Sequence, residues 1–328
     1  MNRLNFTDNR SENDSSGNMG YTVDEAIEKA GGFGKYQWIY CSLTALCFVP
    51  NGLFIYNLGY FTMIPVMMCP DAAGRHFLWK DESVGRDMQF WSNGNLIPGA
   101  YPDFSFDKSL RNWVVELDMI WNPAYQSSLF GALFFIGFLI SMIILPFTSK
   151  FGRKLNLSVA SWITLACVIL IVSFTNMYTR FIGMFFMGCA MIRSIQAYIL
   201  ATELAPFRLQ IIVATGVLGF DVLTMPISSV YFKLISDDWR NIGYFAIAYT
   251  TFISFCTLML PESPRFQYER GEFDKARQII NKMAKLNGSS LARWTWKFDL
   301  EIESENMSPS DSKHYFLNLY FRKWKPTS

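Results

Sequence analysis

Six long apolar stretches dominate this chain, and their length leaves few choices of fold. They run approximately Trp38–Ile64, Ser127–Phe147, Leu155–Phe174, Phe181–Ala201, Gln210–Phe232 and Ile242–Leu260. About 20 predominantly apolar residues suffice to cross a hydrocarbon core of about 30 Å as a helix. Charged residues make up 17% of the chain, against roughly 25% in soluble domains, and they collect between the stretches. A soluble alternative would need six buried helices of membrane length. The expectation is an all-α membrane protein with six transmembrane helices, whose first partner is the lipid bilayer.

The segments between the stretches set the organisation. Residues 1–37 form an N-terminal segment, Asn/Ser-rich at first and expected to be disordered to about Gly20. Tyr21–Gln37 reads as a short interfacial helix, with Thr22 as N-cap and Glu25 three residues on. Residues 38–260 hold the six spans, including a connection of about 65–122 that is too long to be a mere link. Residues 261–328 form a tail in which Phe273, Ala276, Ile280 and Met283 recur at helical spacing, giving an amphipathic helix for the inner face. Lys/Arg bias in short loops sets orientation. Lys150, Arg153, Lys154, Arg208, Arg265 and Arg270 lie on one side, against Arg180, Lys233 and Arg240 on the other. The first set goes inside, so both termini are expected in the cytoplasm and the long connection outside.

Ionisable residues at membrane depth are costly, so each invites a functional hypothesis. Arg193 lies 13 residues before Pro206 and Asp221 lies 15 after it. At about 1.5 Å per residue both sit roughly 20 Å from that turn, so adjacent antiparallel helices are expected to bring them together as an intramembrane charge pair. A structural pair that offsets two buried charges and a role in substrate or proton handling both remain open. Tyr56, Phe220 and Tyr231 are aromatic candidates for a cavity that takes flat cations. Asn57 and Gln196 are polar candidates there, with helix packing as their alternative.

Several function classes receive no support. The net charge of +2 suggests no nucleic-acid partner, and His76 and His314 fall in different compartments, so no His-based triad or metal cluster is expected. There is no phosphate-binding Gly-rich loop. No enzymatic activity and no cofactor are expected. Five of the six cysteines lie inside the apolar stretches and read as small buried residues.

Further motifs mark the membrane boundaries in order. They are Gly32–Trp38 before the first span, Trp113–Ile120 before the second and Phe151-Gly152-Arg153-Lys154 after it. Tyr198 to Glu203 with Arg208 follows at the turn between spans four and five, then Asp238-Trp239-Arg240, and finally Pro261-Glu262-Ser263-Pro264-Arg265 after the sixth. In this order they resemble the major facilitator superfamily and, within it, the organic cation/anion transporter family. The sugar porters share the last motif and the Gly-Arg-Lys loop, which makes them the alternative.

The resemblance implies a fold of twelve helices in two halves, with substrate bound between the halves near mid-membrane. Only the amino-terminal half is expected here, with the plasma membrane as its location and a small organic ion as its solute. Such a half supplies one wall of a cavity. It is therefore expected either to be cut from a longer chain or to pair with a second six-helix half. The resemblance also implies an inner charged latch of Lys150, Arg153, Lys154, Glu203, Arg208, Glu262 and Arg265. One departure bears on it: Ser149 stands where the family pattern has an aspartate, so the latch is expected to lack its negative member. A non-transporting, degenerate interaction protein is the second functional expectation, motivated by that loss.

Overall fold

The computed structural model describes residues 20–305 except 71–75, 79–90, 93–94, 97–100, 103, 105–108, 121 and 294–295. The expectations placed on residues 1–19, on most of the long connection and on the tail beyond 305 lie outside the described residues. Among the described residues, six helices are long and apolar enough to cross a membrane: Lys35–Phe61, Tyr125–Phe151, Arg153–Ser173, Met177–Leu204, Phe207–Leu234 and Trp239–Met259.

Before the first span comes α1 (Val23–Lys29). Thr22 caps it as its sequence suggests. The Thr22 hydroxyl accepts from the Glu25 N–H at 3.3 Å while the Glu25 carboxylate accepts from the Thr22 N–H at 2.9 Å, so two otherwise orphaned donors are satisfied. The expected helix does not run on to Gln37. Gly31 and Gly32 take positive φ values of 104° and 57°, and the chain turns there before the first span begins.

Three of the six spans are interrupted. The first consists of α2 (Lys35–Leu46), α3 (Val49–Ile55) and α4 (Leu58–Phe61). Pro50 sits in the first turn of α3, and because proline lacks an N–H the ladder of α2 cannot pass through it. After the long connection, α5 (Trp113–Glu116) leads to the second span, α6 (Ala124–Thr148), and then to the third, α7 (Arg153–Ser173). The fourth span is α8 (Met177–Cys189) and α9 (Ile192–Leu204), and the fifth is α10 (Gln210–Val222) and α11 (Thr224–Leu234). Pro226 removes a donor just after the fifth span's break, for the same reason as Pro50. The sixth span, α12 (Trp239–Met259), is continuous.

The tail carries α13 (Pro264–Glu269), α14 (Phe273–Asn287) and α15 (Asp299–Glu305). Ala276, Ile280 and Met283 of α14 are fully buried, packed with α1 and α2 in one cluster. Gly288, at φ 76°, closes the helix in the left-handed conformation. Gly20–Tyr21 pairs in parallel with Lys297–Phe298. The N-terminal segment and the tail therefore meet on one face, called here the terminal face; the long connection marks the opposite, loop face.

Two buried clusters hold the bundle. One joins α1, α2, α9, α10 and α14 towards the terminal face. The other gathers Phe61, Trp113, Phe130, Met184, Phe232 and Trp239 towards the loop face. Between them α6 crosses α8 at backbone contact. A Cβ on Gly137 would collide with the Phe185 carbonyl, and one on Gly188 with that of Phe134. Small residues at a crossing allow such approach where no hydrophobic drive between helices exists. The outward surfaces of α6 and α10–α11 carry large exposed apolar side chains, among them Leu139, Ile143, Ile211 and Val222.

Candidate functional site

A cavity of about 420 Å³ opens in the bundle, and the spans that line it include all three interrupted ones. Asn51 and Gly52 come from α3 and Tyr56 from its C-terminal cap, Phe134, Phe135 and Phe138 from α6, Ser194 and Tyr198 from α9, and Leu218 and Asp221 from α10. The wall is therefore apolar and aromatic with one carboxylate. Interrupted helices at such a site are a recurring device, because a break lets the chain present polar groups to a cavity without exposing backbone to lipid.

Asp221 lies near the midpoint of its span. Its Oδ2 accepts a hydrogen bond from the Tyr56 hydroxyl at 2.7 Å, which ties the first span to the fifth across the cavity. The expected bonded pair with Arg193 is not formed. Arg193 is fully buried, and its Nε, Nη1 and Nη2 have no hydrogen-bond partner among the described residues. Cys47, Tyr249 and Asp221 act on it electrostatically. The count along the chain placed the two residues at equal depth. It could not give rotation about the helix axis, and the Asp221 carboxylate turns to Tyr56 instead.

Of the five cavity candidates, Tyr56 alone lines the cavity. Asn57, the next residue, points about 100° away on a helix. It is buried and donates to Leu53 O at 2.8 Å and Ser228 Oγ at 2.9 Å. Tyr231 donates to the Asp238 carbonyl at 3.2 Å and packs against the loop-face cluster. Gln196 is fully buried behind the wall, and Phe220, though partly exposed, is not part of the lining. Phe134, Phe135 and Phe138 were missed. Their spacing places them on one face of α6, a signal hidden by the uniform apolarity of that span.

On the terminal face, Glu262 caps the start of α7. Its Oε1 accepts from the N–H groups of Arg153 at 2.8 Å and Lys154 at 3.1 Å, where the helix dipole favours a negative charge. Gly152 sits at φ 109°, and a Cβ there would collide with the Glu262 carboxylate. Ser149, in the position of the family's aspartate, only back-bonds to the Pro146 carbonyl at 2.8 Å. Glu262 thus supplies a carboxylate at this turn.

The remaining charges pair as follows. Arg153 meets Glu203 at 3.3 Å, and its guanidinium stands over the Phe266 ring at 5.5 Å. Arg265 bonds Asp24 of α1, and Arg208 reaches Glu28 at 3.7 Å across exposed surface. The Lys150 carbonyl accepts from Arg270 at 3.2 Å. Asp24, Glu28 and Arg270 were not picked out from the sequence as members of this network. On the loop face, Arg180 and Arg240, which read as ordinary loop charges, converge on Glu116.

Comparison with known proteins bears on this arrangement. The family model "Sugar (and other) transporter" matches residues 44–325. The chain is 26% identical to the organic cation/carnitine transporter 2 of Homo sapiens, over 92% of its own length and 60% of that protein. It is also 26% identical to the organic cation/carnitine transporter 4 of Arabidopsis thaliana, over 87% of its own length and 52% of that protein. A solute carrier family 22 member 15-like protein of Xenopus tropicalis is 29% identical over 53% of this chain and 36% of that protein. The chain thus spans 60% or less of the length of these relatives. With six apolar spans, three of them interrupted around one cavity, and a family match across most of its length, the chain belongs to the sugar (and other) transporter family of the major facilitator superfamily.

Proposed function

We propose that this chain forms one half of a carrier that moves small organic cations across a membrane by alternating access. The observation that carries the reading is Asp221, a carboxylate at mid-span in an aromatic-walled cavity of about 420 Å³. Such a wall suits a compact cation, which gains from the aromatic faces as well as from the charge. The names of the relatives, organic cation/carnitine transporters, agree with that chemistry.

Alternating access needs a second wall. The exposed apolar faces of α6 and α10–α11 supply surface for it, so the functional unit pairs this half with a second six-helix half. The terminal face, rich in Lys and Arg, is assigned to the cytoplasm by the charge bias, with the plasma membrane as the site of action. There the Glu262, Arg153–Glu203 and Arg265–Asp24 contacts act as the gating latch. With Glu262 at the turn, the loss of an acid at Ser149 does not by itself argue for a degenerate, non-transporting protein.

The test is uptake of labelled tetramethylammonium by cells or vesicles holding the chain with its second half. Uptake is expected, and Asp221→Asn is expected to lower it by about a hundredfold or more, the scale of losing the main charge contact of a buried cation. Uptake of an uncharged hexose with no uptake of the cation would replace this reading by a sugar carrier. No uptake of either would favour a membrane interaction protein.

A further inference from the structure

Glu116 is the last residue of α5, the short helix that ends the long connection, and three side chains from two spans converge on it, one as an ion pair and two through hydrogen bonds. Its Oε2 lies 2.8 Å from Arg180 Nη2 and accepts from the Trp239 indole N–H at 2.7 Å; its Oε1 accepts from Arg240 Nη2 at 3.1 Å. Arg180 belongs to the first turn of α8, Trp239 and Arg240 to that of α12. The Arg180 side chain is fully buried and Glu116 nearly so, at 10% exposure. The guanidinium is flanked by two indoles, with ring centroids 5.2 Å away for Trp113 and 4.7 Å for Trp239.

The same segment also holds the first span. Asn112 caps α5 by accepting from Val114 N at 3.2 Å. Its amide donates to the carbonyls of Tyr60 at 2.8 Å and Met63 at 2.6 Å, at the end of that span. Arg111 exchanges backbone bonds with the turn before α12, its N–H donating to Asp237 O at 3.0 Å and its carbonyl accepting from Trp239 N at 3.2 Å. Six consecutive residues thus touch the loop-face ends of spans one, four and six.

We propose that Glu116 is a positioning residue, whose single carboxylate binds the loop-face ends of spans four and six to the root of the long connection so that these ends move as one body during transport. An arginine is not deprotonated in proteins, so a buried guanidinium is costly and losing a carboxylate that offsets it costs more. Because two spans share the acceptor, swinging span four away leaves that charge uncompensated, and swinging span six away strips the carboxylate of two hydrogen bonds. Spans one and four carry part of the cavity wall, and the tie fixes their ends relative to each other. In its functional consequence the proposal rests on the transport reading; the tie itself does not.

Hydrogen exchange on the full chain in lipid, together with uptake, separates the two. Glu116→Gln keeps the shape and removes the charge. Exchange is expected to quicken by about tenfold or more in residues 109–120 and in the first turns of α8 and α12, and to stay unchanged in α14. The maximal uptake rate per molecule is expected to fall about tenfold while the half-saturating concentration stays within about twofold, the split that marks altered positioning rather than altered binding. Glu116→Asp is expected to restore part of both. Should the Gln variant fail to fold, Arg240→Gln removes only the half-exposed donor and is expected to quicken exchange at α12 alone. Unchanged exchange at the start of α8 and α12 would overturn the tie. A rate loss matched by an equal rise in half-saturating concentration would overturn the positioning role. Absence of uptake in the unsubstituted protein would defeat the transport reading and leave the exchange to decide the tie.

Discussion

The two faces of the bundle are fastened in different ways. On the terminal face, contacts are spread over separate pairs: Glu262 on the α7 amides, Arg153 with Glu203, Arg265 with Asp24, and Arg208 with Glu28. Most keep at least one partner in reach of water; the Arg208 side chain is 86% exposed. On the loop face one nearly buried carboxylate pairs with a fully buried arginine and accepts two further hydrogen bonds. Exposed pairs contribute little and exchange readily. A buried pair costs much to make and more to break. The terminal face is thus built to be undone piecemeal, while the loop face is built to hold or fail as a unit.

Four substitutions sharpen that contrast. Glu116→Gln should lower stability by about 3–5 kcal/mol, since it strands Arg180 in a buried site; thermal unfolding in detergent measures it, and a loss under about 1 kcal/mol would erase the difference between the faces. Gly152→Ala should cost about 1–3 kcal/mol, from the φ of 109° and the displaced Glu262; the same melt reads it. Glu262→Gln keeps the acceptor but removes the charge at the α7 terminus, for a loss of about 0.5–1 kcal/mol. Its effect should shrink in high salt, which would not be so for Glu116→Gln. Arg208→Gln should change stability by less than about 0.5 kcal/mol. A larger effect would show that the terminal face is as tightly held as its opposite.

How much of this could be read from the residues depends on dimension. Position along the membrane normal is a one-dimensional quantity, and hydropathy reports it. The six spans, the Thr22 cap and the buried stripe of α14 were all legible for that reason. Rotation about a helix axis is different. In α6 almost every side chain is apolar, so nothing distinguished the cavity-facing Phe134 and Phe138 from the outward Leu139. Arg193 and Asp221 share a depth, yet the bond goes from Tyr56 to Asp221. Tyr56 and Asn57 are neighbours in sequence and both bond the fifth span, but Tyr56 does so within the cavity and Asn57 outside it.

The contacts of Glu116 were illegible for another reason. Arg180 and Arg240 looked like loop charges because they fall at span ends, and span ends are where charges normally meet water. Only the return of the connection across those ends removes that water. On the terminal face, Asp24 and Arg265 are brought together over 241 residues of sequence. No local pattern announces a contact of that range.

Arg193 and Asp221, though not bonded to each other, balance in sign, and that balance has an electrical consequence. With Asp221 ionised, this half carries one fixed charge of each sign at mid-membrane, and an empty cavity gains nothing from the membrane voltage as it reorients. A bound monovalent cation adds one uncompensated elementary charge, worth about 2.3 kcal/mol per 100 mV if it crosses the whole field. On the reading proposed above, and with no further mid-membrane charge from the second half, a negative interior drives the loaded carrier inward and does not oppose the return of the empty one.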